Sequence, residues 1–159
     1  MSNLLIFYSR SGNTRKVAQV ISENLSCDVE EIKDTKKRLG FIGYLRSVKD
    51  VLRKKLPTLK KITKNPEQYD LIIIGTPIWV SNMAAPIRTY ITENKDKFKN
   101  IAFFCTQGGG KGGKGGEKCL PKMGKLCAKE PVATLIITAK EVKKEIFNDK
   151  VLEFSSKLS

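Results

Sequence analysis

The chain has 159 residues, 40% hydrophobic and 29% charged, with 30 Lys and Arg against 16 Asp and Glu and no histidine. That length fits one domain, residues 1–159, with a core that needs neither disulfide nor metal. The lack of histidine excludes Ser/His and Cys/His nucleophilic pairs, and no run approaches the roughly 18–20 apolar residues of a membrane span.

The run Asn3-Leu4-Leu5-Ile6-Phe7-Tyr8 predicts a buried strand over residues 4–8. Ser9-Arg10-Ser11-Gly12-Asn13-Thr14 follows directly. A helix is predicted over 13–25, with Val17, Val20, Ile21 and Leu25 on one face at i, i+3, i+4 and i+8. Residues 28–32 alternate weakly, as an edge strand does. Over 40–55, Ile42, Leu45, Val48, Val51 and Leu52 have helical spacing, with Arg46, Lys49, Arg53, Lys54 and Lys55 between them. A basic amphipathic helix is predicted, one that covers a sheet face or serves as a membrane-surface or partner element. Leu71-Ile72-Ile73-Ile74 marks a strand over 69–75 that is buried on both sides. Residues 76–85 form a loop, and Pro86 suits the first turn of a helix through 93. A buried strand over 100–105 leads into a glycine-rich stretch, with seven glycines between 108 and 116. A helix over 117–128 carries Leu120, Met123, Leu126 and Cys127 inward, with Pro121 in its first turn. A fifth strand over 131–138 and a closing helix over 141–158 follow, the latter with Val142, Ile146, Val151, Leu152 and Phe154 inward.

Strict β-α alternation with apolar strands predicts an α/β chain: a doubly wound, three-layer, five-stranded parallel sheet with helices on both sides. Right-handed crossovers and the chain's size favour the strand order 2-1-3-4-5. In that order the chain reverses direction between strands 1 and 3, and ligands bind at the carboxyl ends of the strands there. The loops at those ends are 9–14, 76–83 and 106 onward.

The first loop offers the hydroxyls of Ser9, Ser11 and Thr14, the Asn13 side chain and the N–H groups of a helix start, in the positive field of Arg10, Arg15 and Lys16. A terminal phosphate fits this arrangement; so does an ordinary Ser/Asn-capped helix. The second loop holds Trp79, the single tryptophan, placed where an aromatic face can stack on a planar ligand. The glycine run matches two nucleotide patterns weakly. Gly108, Gly110 and Gly113 fit a dinucleotide fingerprint without its acidic residue, and Gly115 stands where a Walker loop needs Ser or Thr. A third, weaker reading of that run is magnesium-dependent nucleotide hydrolysis. Close backbone approach to a flat ligand is the simpler use of such a loop.

Ser9-Arg10-Ser11-Gly12-Asn13-Thr14 resembles the FMN-phosphate loop of the flavodoxin family. The stretch Thr76-Pro77-Ile78-Trp79 after the third strand looks like the family's flavin-stacking loop, and Phe104-Cys105-Thr106-Gln107-Gly108-Gly109 is similar to its second flavin loop. The resemblance spans essentially the whole chain and implies a flavodoxin-like fold with FMN as cofactor. It implies that Ser9, Arg10, Ser11, Gly12, Asn13 and Thr14 surround the phosphate. Pro77, Ile78, Trp79, Val80, Ser81, Asn82 and Met83 would lie along one side of the ring. Thr106, Gln107, Gly108, Gly109 and Gly110 would follow its edge and other side. No catalytic side chain and no metal is implied. Flavodoxins commonly carry a glycine where this chain has Ser81-Asn82, and many carry an aromatic within 106–110, where this chain has none, so one ring face is expected to be open.

Family members are typically acidic; this chain carries a net +14. Residues 33–64 hold twelve Lys and Arg against two Asp, which fits an acidic redox partner docking near that segment or a solvated lysine-rich face. The expected function is therefore an FMN-dependent electron shuttle. The alternatives are a small FMN-dependent NAD(P)H or quinone-type reductase and, from another class, a flavin-free basic module gripping nucleic acid, which the sparse aromatics do not favour. Cys27, Cys105, Cys119 and Cys127 include no CxxC pair. They read as free thiols and, with no signal-peptide pattern, set the expected compartment as the cytoplasm.

Overall fold

The computed structural model describes residues 1–35, 43, 45, 49, 56–108 and 113–158. Of segment 40–55 only residues 43, 45 and 49 are described, so the basic helix expected there lies outside the described residues. The flanks of that segment pair with each other: Asp34 bridges Leu59 antiparallel, and the Lys60 N–H donates to the Lys33 carbonyl at 2.8 Å.

Strand β1 (Asn3–Phe7) leads into α1 (Asn13–Leu25), β2 (Asp28–Glu31) and β3 (Leu71–Trp79). Then come β4 (Asn82–Met83), α2 (Ala85–Asn94), β5 (Asn100–Gln107), α3 (Gly115–Cys127), β6 (Thr134–Thr138), α4 (Ala139–Lys144) and α5 (Asn148–Ser156). The parallel strands run β2-β1-β3-β5-β6, and β4 lies off this path, paired antiparallel with β3. With β4 set aside, this is the expected doubly wound order.

Successive strand residues face opposite layers. Leu4, Ile6, Ile72, Ile74, Ile101 and Phe103 join α2 and α3 in one core cluster. Leu5, Phe7, Leu71, Ile73, Ala102 and Phe104 pack against α1, α4 and α5 in the other. Helix α1 forms as its apolar spacing requires and buries Val17, Ala18 and Ile21. Val20 and Leu25 are only partly buried at the margin of that cluster.

Several expectations are corrected. The closing helix is two helices, broken where Glu145 takes a left-handed conformation, φ 56°. The break changes the helical phase, so Phe147 is buried while Ile146 and Leu152 are exposed at 63% and 53%. Helix α3 begins at Gly115 rather than 117, because the Gln107 side chain accepts from the Gly116 N–H at 2.7 Å and anchors that start. Pro121 consequently lies inside the helix, past its first turn. Strand β3 runs on to Trp79, so half of the expected 76–85 loop is a hairpin with β4. The fifth strand begins at Thr134 rather than 131. Among the described residues no helix is long and apolar enough to cross a membrane.

Gly75 fixes how the central strands meet the helices, because a Cβ there would be driven into the Phe104 ring. Gly75→Ala is expected to cost about 1–3 kcal/mol by overpacking, read as a lower urea midpoint. Combining it with Phe104→Leu should recover part of the loss. Equal stability of the single variant and the parent would refute this contact.

Candidate functional site

Strands β1 and β3 pair as far as Phe7 with Gly75, and β3 and β5 as far as Pro77 with Thr106. The loops that follow therefore meet at one edge of the sheet. In the first, Gly12 is the N-cap of α1, with φ 98° and no side-chain cap. Glycine adopts this conformation at little cost. Ser9 Oγ accepts from the Gly12 N–H at 3.1 Å and the Arg15 N–H at 3.3 Å. The N–H groups of Asn13 and Thr14 have no acceptor within the helix. Neither they nor the Ser11 hydroxyl bond to any other described residue. The helix dipole adds positive potential at the same point.

Two expected contributors are engaged elsewhere. Arg15 holds the Glu31 carboxylate at 2.6 Å, and this hydrogen bond raises its pKa further. Thr14 is buried, and its Oγ1 lies 2.8 Å from Thr106 Oγ1. This bond ties the start of α1 to the end of β5, joining the first and third loops.

The second loop is a two-residue hairpin in which Trp79 pairs with Asn82. Val80 and Ser81 both have positive φ, 50° and 54°. Two such residues make the kind of turn whose twist suits a hairpin, although a β-branched residue is strained there. The positive φ thus lies at Val80 and Ser81; Asn82 is a strand residue whose Oδ1 accepts from Arg88 Nη2 at 3.0 Å. Thr76 Oγ1 accepts from the Ala84 N–H at 2.9 Å and closes the hairpin's base. Trp79 does not offer an open face. It is 6% exposed and meets the Tyr8 ring edge-on, centroids 5.6 Å apart. Its indole is a core group, and Val80 at the tip is exposed instead.

In the third loop, Gln107 Nε2 donates to the Gly113 carbonyl at 2.7 Å while its Oε1 takes the Gly116 N–H. One side chain thereby clamps the glycine stretch to α3. Gly109 and Gly110 lie outside the described residues. Ile78, Ser81, Gln107, Gly108, Lys114 and Lys118 border a recess of about 210 Å³ between hairpin and clamp. Sequence reasoning missed Gln107 as a clamp, Tyr8 as the partner of Trp79, and Lys114 and Lys118 at the recess. The lysines' spacing of four residues was a readable signal; the other two needed the fold.

The thiols are not part of this chemistry. Burial pushes Cys119 up to about 12 and Cys127 up to about 11, so neither is a thiolate near neutral pH. Among the described residues no group of three or more acidic or thiol side chains is placed to hold a metal ion.

Thr14→Val would leave Thr106 Oγ1 buried without its partner, an expected loss of about 1–3 kcal/mol. In a double-mutant cycle, Thr14→Val with Thr106→Val should cost less than the sum of the singles; strict additivity would show that the hydroxyls do not act as a pair. Replacing Val80-Ser81 by Asn-Gly should relieve the turn and add roughly 1 kcal/mol, seen as a higher Tm, whereas an unchanged Tm would remove strain from the account.

The family model for flavodoxins matches residues 2–149. A search of curated proteins finds no match. Among solved structures, a flavoprotein from Lactobacillus acidophilus NCFM in complex with FMN is similar at 22% identity and TM-score 0.73, covering 90% of this chain and 97% of that one. A flavoprotein from Bacteroides eggerthii DSM 20697 is similar at 20% identity and TM-score 0.71, covering 94% and 97%. A WrbA-like flavodoxin from Agrobacterium tumefaciens is similar at 13% identity and TM-score 0.56, covering 98% and 99%. Strand order, the three converging loops and a family match over nearly the whole length agree: the chain belongs to the flavodoxin family.

Proposed function

We propose that this protein binds FMN at the carboxyl edge of the sheet and carries electrons between redox proteins. The observation that carries the reading is the start of α1, where helix N–H groups and the Ser11 hydroxyl have no partner among the described residues. At the same edge of the sheet lies a recess bordered by Ile78, Ser81 and the Gln107 clamp.

The residues present fit the group. The open N–H groups at Asn13 and Thr14 and the Ser11 hydroxyl suit a phosphate, which needs donors and a positive dipole end. Glycines at 12 and 108 leave that approach free, since a Cβ at either would touch nothing within 4 Å. Bound FMN would supply one- and two-electron redox chemistry. The chain's own task is to bind, orient and shield. Ser9 holds the phosphate loop in shape, Thr14 and Thr106 lock it to β5, and Gln107 fixes the glycine stretch. No side chain is needed as a proton-transfer group, which suits a sequence without histidine.

The reductase reading has one observation in its favour: the described recess carries no aromatic wall, so a planar substrate has room beside the ring. Reduction of the FMN-loaded protein by NADPH alone at a catalytic rate would favour that reading over the shuttle.

Calorimetry and the visible flavin spectrum should show one FMN per chain. Gly12→Ala, which forces a side chain into φ 98°, should weaken FMN at least about tenfold, or 1.4 kcal/mol. The same change should leave riboflavin, which lacks the phosphate, nearly unaffected. Equal loss for both ligands would place the phosphate elsewhere, and no binding of either would sink the flavin reading.

A further inference from the structure

We propose that the outer face of α3 is the docking surface for an acidic protein; the partner's redox role rests on the electron-carrier reading above. Lys114, Lys118, Lys122, Lys125 and Lys129 are all exposed. At 100° per residue the three within the helix fall inside an arc of about 60°. Lys114 at the N-cap and Lys129 just past the C-cap extend the row to roughly 22 Å, at 1.5 Å per residue.

Arg15, Lys64, Lys99, Lys150 and Lys157 each hold a carboxylate, but no lysine of the α3 row does so among the described residues. The row is joined to the site. Lys122 Nζ donates to the Ser81 carbonyl in the hairpin turn at 3.2 Å, and Lys114 and Lys118 border the recess. Helix stability explains Lys125 in the last turn but not Lys114 and Lys118, because cations at the N-terminal end of a helix oppose its dipole.

The same face has an apolar slot. A groove of about 560 Å³ runs between α3 and β6, lined by Leu120, Pro121 and Ile136, with Lys125 and Lys129 and the carboxylates Glu117 and Glu130 at its edge. Pro121 has no N–H, so the Glu117 carbonyl beside it has no helical donor. An apolar slot inside a charged rim is the anatomy of a protein interface. A row of this length exceeds a small anion and matches one side of a standard interface, about 800 Å². Its charge calls for carboxylates opposite.

The probe is an acidic plant-type [2Fe–2S] ferredoxin, immobilised, with association measured for the FMN-loaded and FMN-free protein. The association rate should fall at least tenfold between 20 and 300 mM salt, as steering by exposed charges requires. Lys118→Glu with Lys125→Glu should slow association at least tenfold at low salt. Lys143→Glu with Lys144→Glu, the same charge change on α4 in the opposite layer, should alter it less than twofold. Equal loss in the two double variants would reduce the effect to net charge and overturn the proposal, as would no association with the parent protein. Lysine-dependent association by a protein that takes up no FMN would uphold the surface and refute only the redox reading.

Discussion

The carboxyl edge of the molecule depends on the central strand being longer than its neighbours. Strand β3 has nine residues, pairs with β1 only through Gly75 and with β5 only through Pro77. Ile78 and Trp79 thus extend past the sheet with backbone groups that need partners. They find them by folding back on Asn82 and Met83. That return forces the left-handed pair Val80-Ser81, presses Trp79 against Tyr8 and brings the Ser81 carbonyl to Lys122. The recess and its rim both follow from this overrun.

What was legible in the sequence follows from where periodicity is strong. Helix α1 and the run Leu71-Ile72-Ile73-Ile74 formed as their apolar spacing demands; alternation pointed to a parallel sheet, and crossover handedness with chain size favoured the strand order found. That three loops meet at one edge of the sheet was legible because each follows a buried strand. The orientation of Trp79 was not, since nothing local says that Tyr8 will meet its edge. The break at Glu145 carries no glycine or proline. It accompanies a core that takes Phe147 rather than Ile146, while Thr138 and Glu141 form a capping box that ties α4 to the end of β6. The early start of α3 depends on Gln107, a side chain from another element.

Electrostatics divide the molecule unevenly. Carboxylates on and beside β2 are consumed locally. Glu31 takes Arg15, Asp28 takes Lys64 and the Tyr69 hydroxyl, and Glu30 accepts from the Thr63 and Lys64 N–H groups. The hydrogen bond to Asp28 pushes the Tyr69 phenol up to about 12, so that link stands throughout the neutral range. On the α3 side Glu117 and Glu130 stand near the lysines, yet among the described residues no lysine of that row is held by a carboxylate. Lysines paired at one edge of the sheet are left unpaired at another, on the side that adjoins the recess.

Trp79 has one more consequence. It is the sole tryptophan, buried beside a tyrosine at the base of the hairpin. Ultraviolet emission excited at the red edge therefore comes from a single indole, one that closes the long central strand and pairs across the hairpin with Asn82. Movement of the hairpin changes the surroundings of that indole. The chain thus carries its own optical gauge at the carboxyl edge of the sheet.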